Sequence, residues 1–149
     1  MKSTILTFCV VISTLLPLRA ADSAAEKAFV DMFKTAFESG DTTTLESLLY
    51  TKDAHPMALE FYKMRLGEGA GTKVASIELV DLSAEDQKKV ERGQEGPDGQ
   101  KTRMPIKPTK KLTFKVETKG GSGSGSTTSS LFVAEDGGKF VIPVPAPAK

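Results

Sequence analysis

The sequence is poor in cysteine, which excludes several kinds of chemistry at once. Its 149 residues contain one cysteine, Cys9, inside an apolar N-terminal run that we interpret as an export segment. The chain that remains after cleavage would have no disulfide and no thiol nucleophile. Cys9 is followed by Val10, Val11 and Ile12 instead of closing the run, which disfavours lipid attachment. We therefore expect packing alone to hold the domain together.

Histidine is equally scarce. The chain has one, His55, which follows Asp53 at the start of a predicted helix. A metal site needs about three protein ligands, and no second histidine is available to join His55, Asp53 and Glu60. The Gly-x-Ser-x-Gly motif of serine hydrolases is also missing. Our leading interpretation therefore assigns no catalytic residue, no cofactor and no metal ligand.

Neither sign of charge dominates the chain. The formal net charge is +1, and removal of Lys2 and Arg19 with the export segment leaves 18 basic against 19 acidic residues. Proteins that bind nucleic acid or membrane surfaces normally carry a basic excess. We therefore predict no nucleic-acid partner and no stable membrane anchor after cleavage.

The first twenty residues have the layout of a secretory signal peptide. A positive charge at Lys2 precedes an apolar run over 5–16, and Ala20 supplies the small residue before the cut. The run is too short to span a bilayer, which needs about 20 residues. Pro17 and the polar residues after Ala21 disfavour the alternative, a buried N-terminal helix. We predict cleavage between Ala20 and Ala21 and a secreted or periplasmic protein.

The next segment has the period of an amphipathic helix. Its apolar residues recur at spacings of three and four, and they are Phe29, Met32, Phe33, Ala36 and Phe37. Asp22 or Ser23 is expected to cap this helix, and Gly40 to end it.

Two further helices are predicted before the helical period of the sequence ends. Asp41 is expected to cap a short helix that continues to Tyr50. Pro56 suits the first turn of a third helix, which ends at the glycines from Gly67 onward.

The second half of the chain has the period of strands. The clearest case is 111–119, where Leu112, Phe114 and Val116 alternate with polar residues, so that one face is buried. The other predicted strands are 74–82, 127–134 and 139–144, with 101–107 extended at a sheet edge.

Turn and loop residues separate these strands. Ser83 is expected to cap a helical turn, and Glu135 to Gly138 form a strong hairpin signal. The glycines and serines of 120–126 indicate a flexible connector. We predict one domain over 21–144, followed by an extended, frayed tail over 145–149.

Helices followed by strands, segregated along the chain, predict an α+β fold. We expect three N-terminal helices packed on a curved antiparallel sheet of about four strands. The residues expected to be buried together are Phe33, Phe37, Leu48, Leu112, Phe114 and Phe140.

Three short segments carry a resemblance to a known family. The run from Phe33 to Asp41, the run 48–50 and the closing strand over 137–142 resemble the nuclear transport factor 2-like superfamily. That resemblance implies a cone in which helices pack on a curved sheet. It also implies either an enzyme, such as a ketosteroid isomerase or polyketide cyclase, or a non-catalytic binder of ligands or proteins. The chain departs from the family in its third helix and lacks an acid and histidine set across the cone.

Two classes of function follow from these observations. The first is non-catalytic binding of a small apolar ligand or of an envelope protein partner, with homodimer formation left open. Six aromatic side chains could line an apolar pocket, although helical spacing is also typical of a core: Phe29, Phe33, Phe37, Tyr50, Phe61 and Tyr62. The alternative is an isomerase- or cyclase-like enzyme, in which Asp53 orients His55 as a general base near Tyr62.

We expect the mature protein to begin at Ala21, within a few residues, because the small residue at Ala20 closes the apolar segment. Mass spectrometry of the exported protein checks this. Detection of an intact Met1, or of a lipid on Cys9, would contradict it.

Overall fold

A computed structural model describes residues 18–95, 99–120 and 123–148. Its helices are α1 (Leu18–Ser39), α2 (Thr42–Ser47), α3 (Pro56–Gly67) and α4 (Ala84–Arg92). Its strands are β1 (Leu49–Tyr50), β2 (Val74–Asp81), β3 (Gln94–Glu95), β4 (Lys101–Arg103), β5 (Lys110–Gly120), β6 (Gly123–Asp136), β7 (Lys139–Pro143) and β8 (Ala146–Pro147). The apolar run 5–16 of the predicted signal peptide lies outside the described residues. None of the described helices is both long enough and apolar enough to cross a bilayer.

The helices pack with an open five-stranded sheet in the order β1-β7-β6-β5-β2, and a second sheet has the order β3-β4-β8. This confirms the α+β class. The expected antiparallel sheet of about four strands was wrong in one respect, because β1 pairs with β7 in parallel. We had predicted Leu49 and Tyr50 as the end of the second helix. Instead, the Ile142 N–H donates to the Leu48 carbonyl at 2.8 Å, and the Val144 N–H donates to the Tyr50 carbonyl at 3.1 Å.

Local capping residues set most helix ends as predicted. The Asp41 carboxylate accepts the Thr44 N–H at 3.0 Å and begins α2. Gly40 follows α1 with φ at +72°, a conformation that glycine adopts without strain. The predicted cap at Asp22 or Ser23 was wrong, because α1 already begins at Leu18. The residues in between include alanines, the best helix formers, so nothing local stops the helix there.

Three phenylalanine rings join α1 to the centre of the sheet. The ring of Phe114 on β5 lies 5.1 Å from that of Phe33 and 5.2 Å from that of Phe37, between centroids. Tilted and edge-on ring pairs at such distances add to the free energy of burial. All six residues that we predicted to be buried together belong to this core: Phe33, Phe37, Leu48, Leu112, Phe114 and Phe140.

The glycine- and serine-rich connector is mostly strand. β5 and β6 stay in register as far as Gly120 opposite Gly123, and Ser126 lies opposite Glu117. The prediction of a flexible loop over 120–126 was therefore wrong for all of it except residues 121 and 122, which lie outside the described residues. Backbone groups make the ladder bonds, so side chains without packing value do not prevent pairing. The hairpin predicted at Glu135 to Gly138 is confirmed, with Gly137 and Gly138 at φ of +58° and +81°.

The end of the chain is held by hydrogen bonds rather than frayed. The Pro145 carbonyl accepts the His55 N–H at 2.9 Å, and the Ala148 N–H donates to the Lys101 carbonyl at 2.9 Å. Prolines lack donors but keep their carbonyls, which is why the predicted frayed tail was wrong for 145–148, while residue 149 lies outside the described residues. This β8 pairing also places β4 in the middle of the small sheet, where we had predicted an edge.

A charged pair fastens α4 to β5. The Lys111 ammonium donates to the Asp86 carboxylate at 2.6 Å, and the Ser83 hydroxyl donates to the same oxygen at 2.8 Å. Lys111 first, and then Ser83, hold the pKa of Asp86 below its usual value. This pair therefore positions the segment that leads from α4 into β3 and β4.

Phe114→Ala should lower the free energy of unfolding by about 3–5 kcal/mol, the usual cost of removing a buried phenylalanine ring. Urea unfolding measures it. Lys115→Ala, at the neighbouring exposed position, is the matched control and should change little. A loss below about 1 kcal/mol for Phe114→Ala would show that the faces of β5 are reversed.

Asp86→Asn should destabilise the protein at neutral pH and progressively less in acid. The carboxylate has a lowered pKa in the folded state, so its stabilisation is present above the unfolded-state pKa and is lost as the pH falls through the folded-state value. Thermal melts of both proteins from pH 7 to pH 3 measure the difference. Glu85→Gln, at an exposed neighbour, is the control. A difference that stays constant over this range would refute the assignment.

Candidate functional site

A cleft separates α3 from the edge of β6. Its first part is a cavity of about 440 Å³, whose lining includes Glu95, Thr102 and Pro145. The side from α3 includes Phe61, Tyr62 and Arg65, and the opposite side consists of residues 130–132 of β6. Aromatic and aliphatic side chains therefore face each other across it.

A second cavity of about 500 Å³ continues the first. Arg65 and Leu131 line both, so the two cavities adjoin at these side chains. Phe37 and Phe114 of the core line the second one, together with residues 127–129 of β6. We call the two cavities together the α3–β6 cleft.

Backbone contacts of His55 position α3 beside the cleft. The His55 carbonyl accepts the Leu59 N–H at 2.9 Å as the first hydrogen bond of the helix, and Pro56 occupies the first turn. The His55 N–H binds Pro145, which lines the first cavity. The chain end and the helix start are thus fixed to each other at one end of the cleft.

Arg65 is the cation of the cleft. Its guanidinium lies over the Phe61 ring, 5.8 Å from the centroid, as is typical of a cation–π contact. No carboxylate in the described part of the chain forms an ion pair with it. Burial raises the pKa of the neighbouring Tyr62, while Arg65 opposes that shift. The cleft thus combines a neutral phenol, the Arg65 cation and apolar side chains with two carboxylates, Glu95 in the first cavity and Glu68 in the second.

Pro143 determines which backbone groups of β6 face the cleft. The β6–β7 ladder runs from Asp136 to Ala134, which pairs with Val141. In this register the next hydrogen-bonded pair, two positions on, would place Phe132 opposite Pro143, which has no N–H to donate. Among the described strands, none pairs with β6 on this side before Ala134.

The direction of the backbone groups follows from one hydrogen bond. The Val133 carbonyl accepts the Thr109 N–H at 3.0 Å, and so points toward β5. Successive residues of a strand direct their N–H and C=O groups to opposite edges. The groups of Thr128, Ser130 and Phe132 therefore point away from β5, toward the open edge.

The structure separates the residues of the alternative enzyme site. His55 is buried, with 9% of its surface exposed, whereas Asp53 lies exposed in a turn at φ +59°. Neither is among the residues that line the two cavities, although Tyr62 is. The predicted cleavage residues, Ala20 and Ala21, lie in the first turn of α1. In the described part of the chain no three His, Cys, Asp or Glu side chains gather as a metal site.

The aromatic residues divide between the core and the cleft. Phe29 and Phe33 belong to the core, Phe37 belongs to the core and also lines the second cavity, and Phe61 and Tyr62 line the first cavity. Sequence analysis did not identify Arg65, although its spacing of four from Phe61 is a signal for a helical side-chain pair. The β6 edge carried no such signal, because it depends on pairing between distant segments.

The chain has no significant match among protein-family models, curated proteins or solved structures. The observed architecture establishes an α+β fold. Membership of the nuclear transport factor 2-like superfamily stays a prediction.

Proposed function

We propose that this protein is an exported, non-catalytic binding protein whose α3–β6 cleft holds an apolar ligand that carries a negative charge. The observation that carries the proposal is Arg65, which has no ion-pair partner among the described residues and lies between two cavities with apolar sides. Cavities of about 440 and 500 Å³ are in the range of small-ligand sites.

The side chains of the cleft support both parts of this ligand description. Phe61, Tyr62 and Leu131 offer apolar surface, whose burial contributes roughly 25 cal/mol per Å². The guanidinium of Arg65 can donate charge-assisted hydrogen bonds to a carboxylate. The guanidinium already packs on the Phe61 ring, so the Arg65 side chain would lose less conformational entropy when a ligand binds.

The placement of His55 supports binding rather than catalysis. A general base must lie within hydrogen-bond reach of the proton that it removes. His55 is not among the side chains that line the cleft. The N-terminal signal-peptide pattern supports the exported location.

Decanoate should bind the protein more tightly than decanol, and Arg65→Met should remove that preference. We expect the substitution to weaken decanoate binding roughly three- to tenfold, because Arg65 is partly screened by solvent, and to leave decanol binding within about twofold. Isothermal titration calorimetry with both probes measures this.

Lys63→Met is the matched control, because it removes the same charge from α3 outside the cleft, where Lys63 lies 3.5 Å from Glu46. It should leave both affinities unchanged. An absence of saturable decanoate binding would refute the proposed function. An equal effect of the two substitutions would refute the role of Arg65.

A further inference from the structure

We infer that the ligand of the α3–β6 cleft is an extended peptide segment that adds to the open edge of β6 as a further strand. This inference rests on the proposed function and specifies the class of partner. The segment would carry apolar side chains on one face, with one carboxylate among them.

The first argument is the unpaired backbone of β6. Thr128, Ser130 and Phe132 direct their N–H and C=O groups away from β5, and none of the described strands pairs with them there. The side chains of Thr128 and Ser130 are exposed. A row of such groups is a template for another strand.

The second argument is the course of the cleft along this edge. Residues 127–129 line the second cavity and residues 130–132 line the first, so six consecutive residues of β6 face the cleft. Side chains of a strand alternate between faces, so a cavity over one face would meet every second residue. The second cavity also meets Phe114 and Val116 on the core-facing side of β5, and its contact with consecutive residues of β6 indicates that the cleft extends from that face to the strand edge.

The length and composition of this edge suit a peptide. Six residues of strand span about 20 Å, so a bound hexapeptide would match the lined part of β6. Natural sheet edges are usually protected by charged residues, proline or bulges. The stretch from Ser126 to Ser130 contains neither charge nor proline, so its edge is open to pairing.

The positions of Arg65 and α3 favour a peptide over a second copy of the chain as the partner of the β6 edge. Arg65 lies where the two cavities adjoin, so a carboxylate at the middle of the segment would meet it. Side chains of α3 line the cleft opposite the β6 edge, so α3 flanks this edge. In a symmetric pair the edge of the second copy would be flanked by its own α3 in the same way. A single extended segment can enter where two such edges cannot meet.

Ser130→Pro tests the strand pairing directly. Proline at this position removes an N–H that points to the open edge and leaves the β5–β6 hydrogen bonds in place. Ser130→Ala is the matched control, because it removes the hydroxyl and keeps the N–H. The probe is the hexapeptide acetyl-Thr-Val-Thr-Glu-Thr-Val-amide, in which two valines flank a glutamate on one face.

Calorimetry should show peptide binding to the wild type and to Ser130→Ala within about twofold, and a roughly tenfold or greater loss for Ser130→Pro. Decanoate binding to the wild type needs no strand pairing and is measured alongside as the separate readout of the proposed function. A peptide with N-methyl groups at alternate residues should bind the wild type at least roughly tenfold more weakly than the parent. This second measurement decides the question even where Ser130→Pro fails to fold, as monitored by circular dichroism.

The remaining outcomes separate the two proposals. Normal decanoate binding with no peptide binding, or with peptide binding that neither Ser130→Pro nor N-methylation weakens, overturns the inference and leaves the proposed function. Failure of both probes to bind overturns both. A wild-type dimer in sedimentation that Ser130→Pro dissociates assigns the edge to a second copy, and also overturns the inference.

Discussion

The missing N–H of Pro143 is the constraint on which the arrangement of the sheet depends. The β6–β7 ladder ends at Ala134, because the residue opposite Phe132 has no donor to continue it. The other edge of β7 keeps its donors at Ile142 and Val144, and both bind the segment around β1. Pro143 therefore ends the antiparallel pairing of β7 with β6. The parallel pairing of β7 with β1, on the other side of β7, continues past Pro143. The edge of β6 stays open as a result.

The aromatic core explains why the space beside this edge is a cleft. Phe33 and Phe37 pack against Phe114 and place α1 over the middle of the sheet. With that position filled, α3 lies to the side, where its residues face the edge of β6 across the two cavities. The hydrogen bond from His55 to Pro145 then ties the start of α3 to the chain end. The cleft thus results from the positions of α1 over the middle of the sheet and of α3 beside the edge of β6.

Features that depend on neighbouring residues were predictable from the sequence, and features that depend on distant pairing were not. The cap at Asp41, the hairpin at Gly137 and the alternating faces of β5 are local, and all were predicted. The strand at Leu49 has two residues, and its partner lies more than ninety residues away, so no local period reveals it. The expected aromatic site shows the same limit. Which rings face the core and which face a cavity depends on how α3 packs against β6.

The scarcity of histidine and cysteine agrees with recognition through the backbone. With one of each, the chain has few imidazole and thiol groups for catalysis or metal binding. Hydrogen bonds from a strand edge need no particular side chain, and small residues leave that edge accessible. The glycines, serines and threonines from Gly123 to Ser130, which suggested a linker, form strand in the structure. In the proposed mode of binding, this same stretch supplies the backbone contacts, and Arg65, where the two cavities adjoin, supplies the positive charge that meets the carboxylate of the partner.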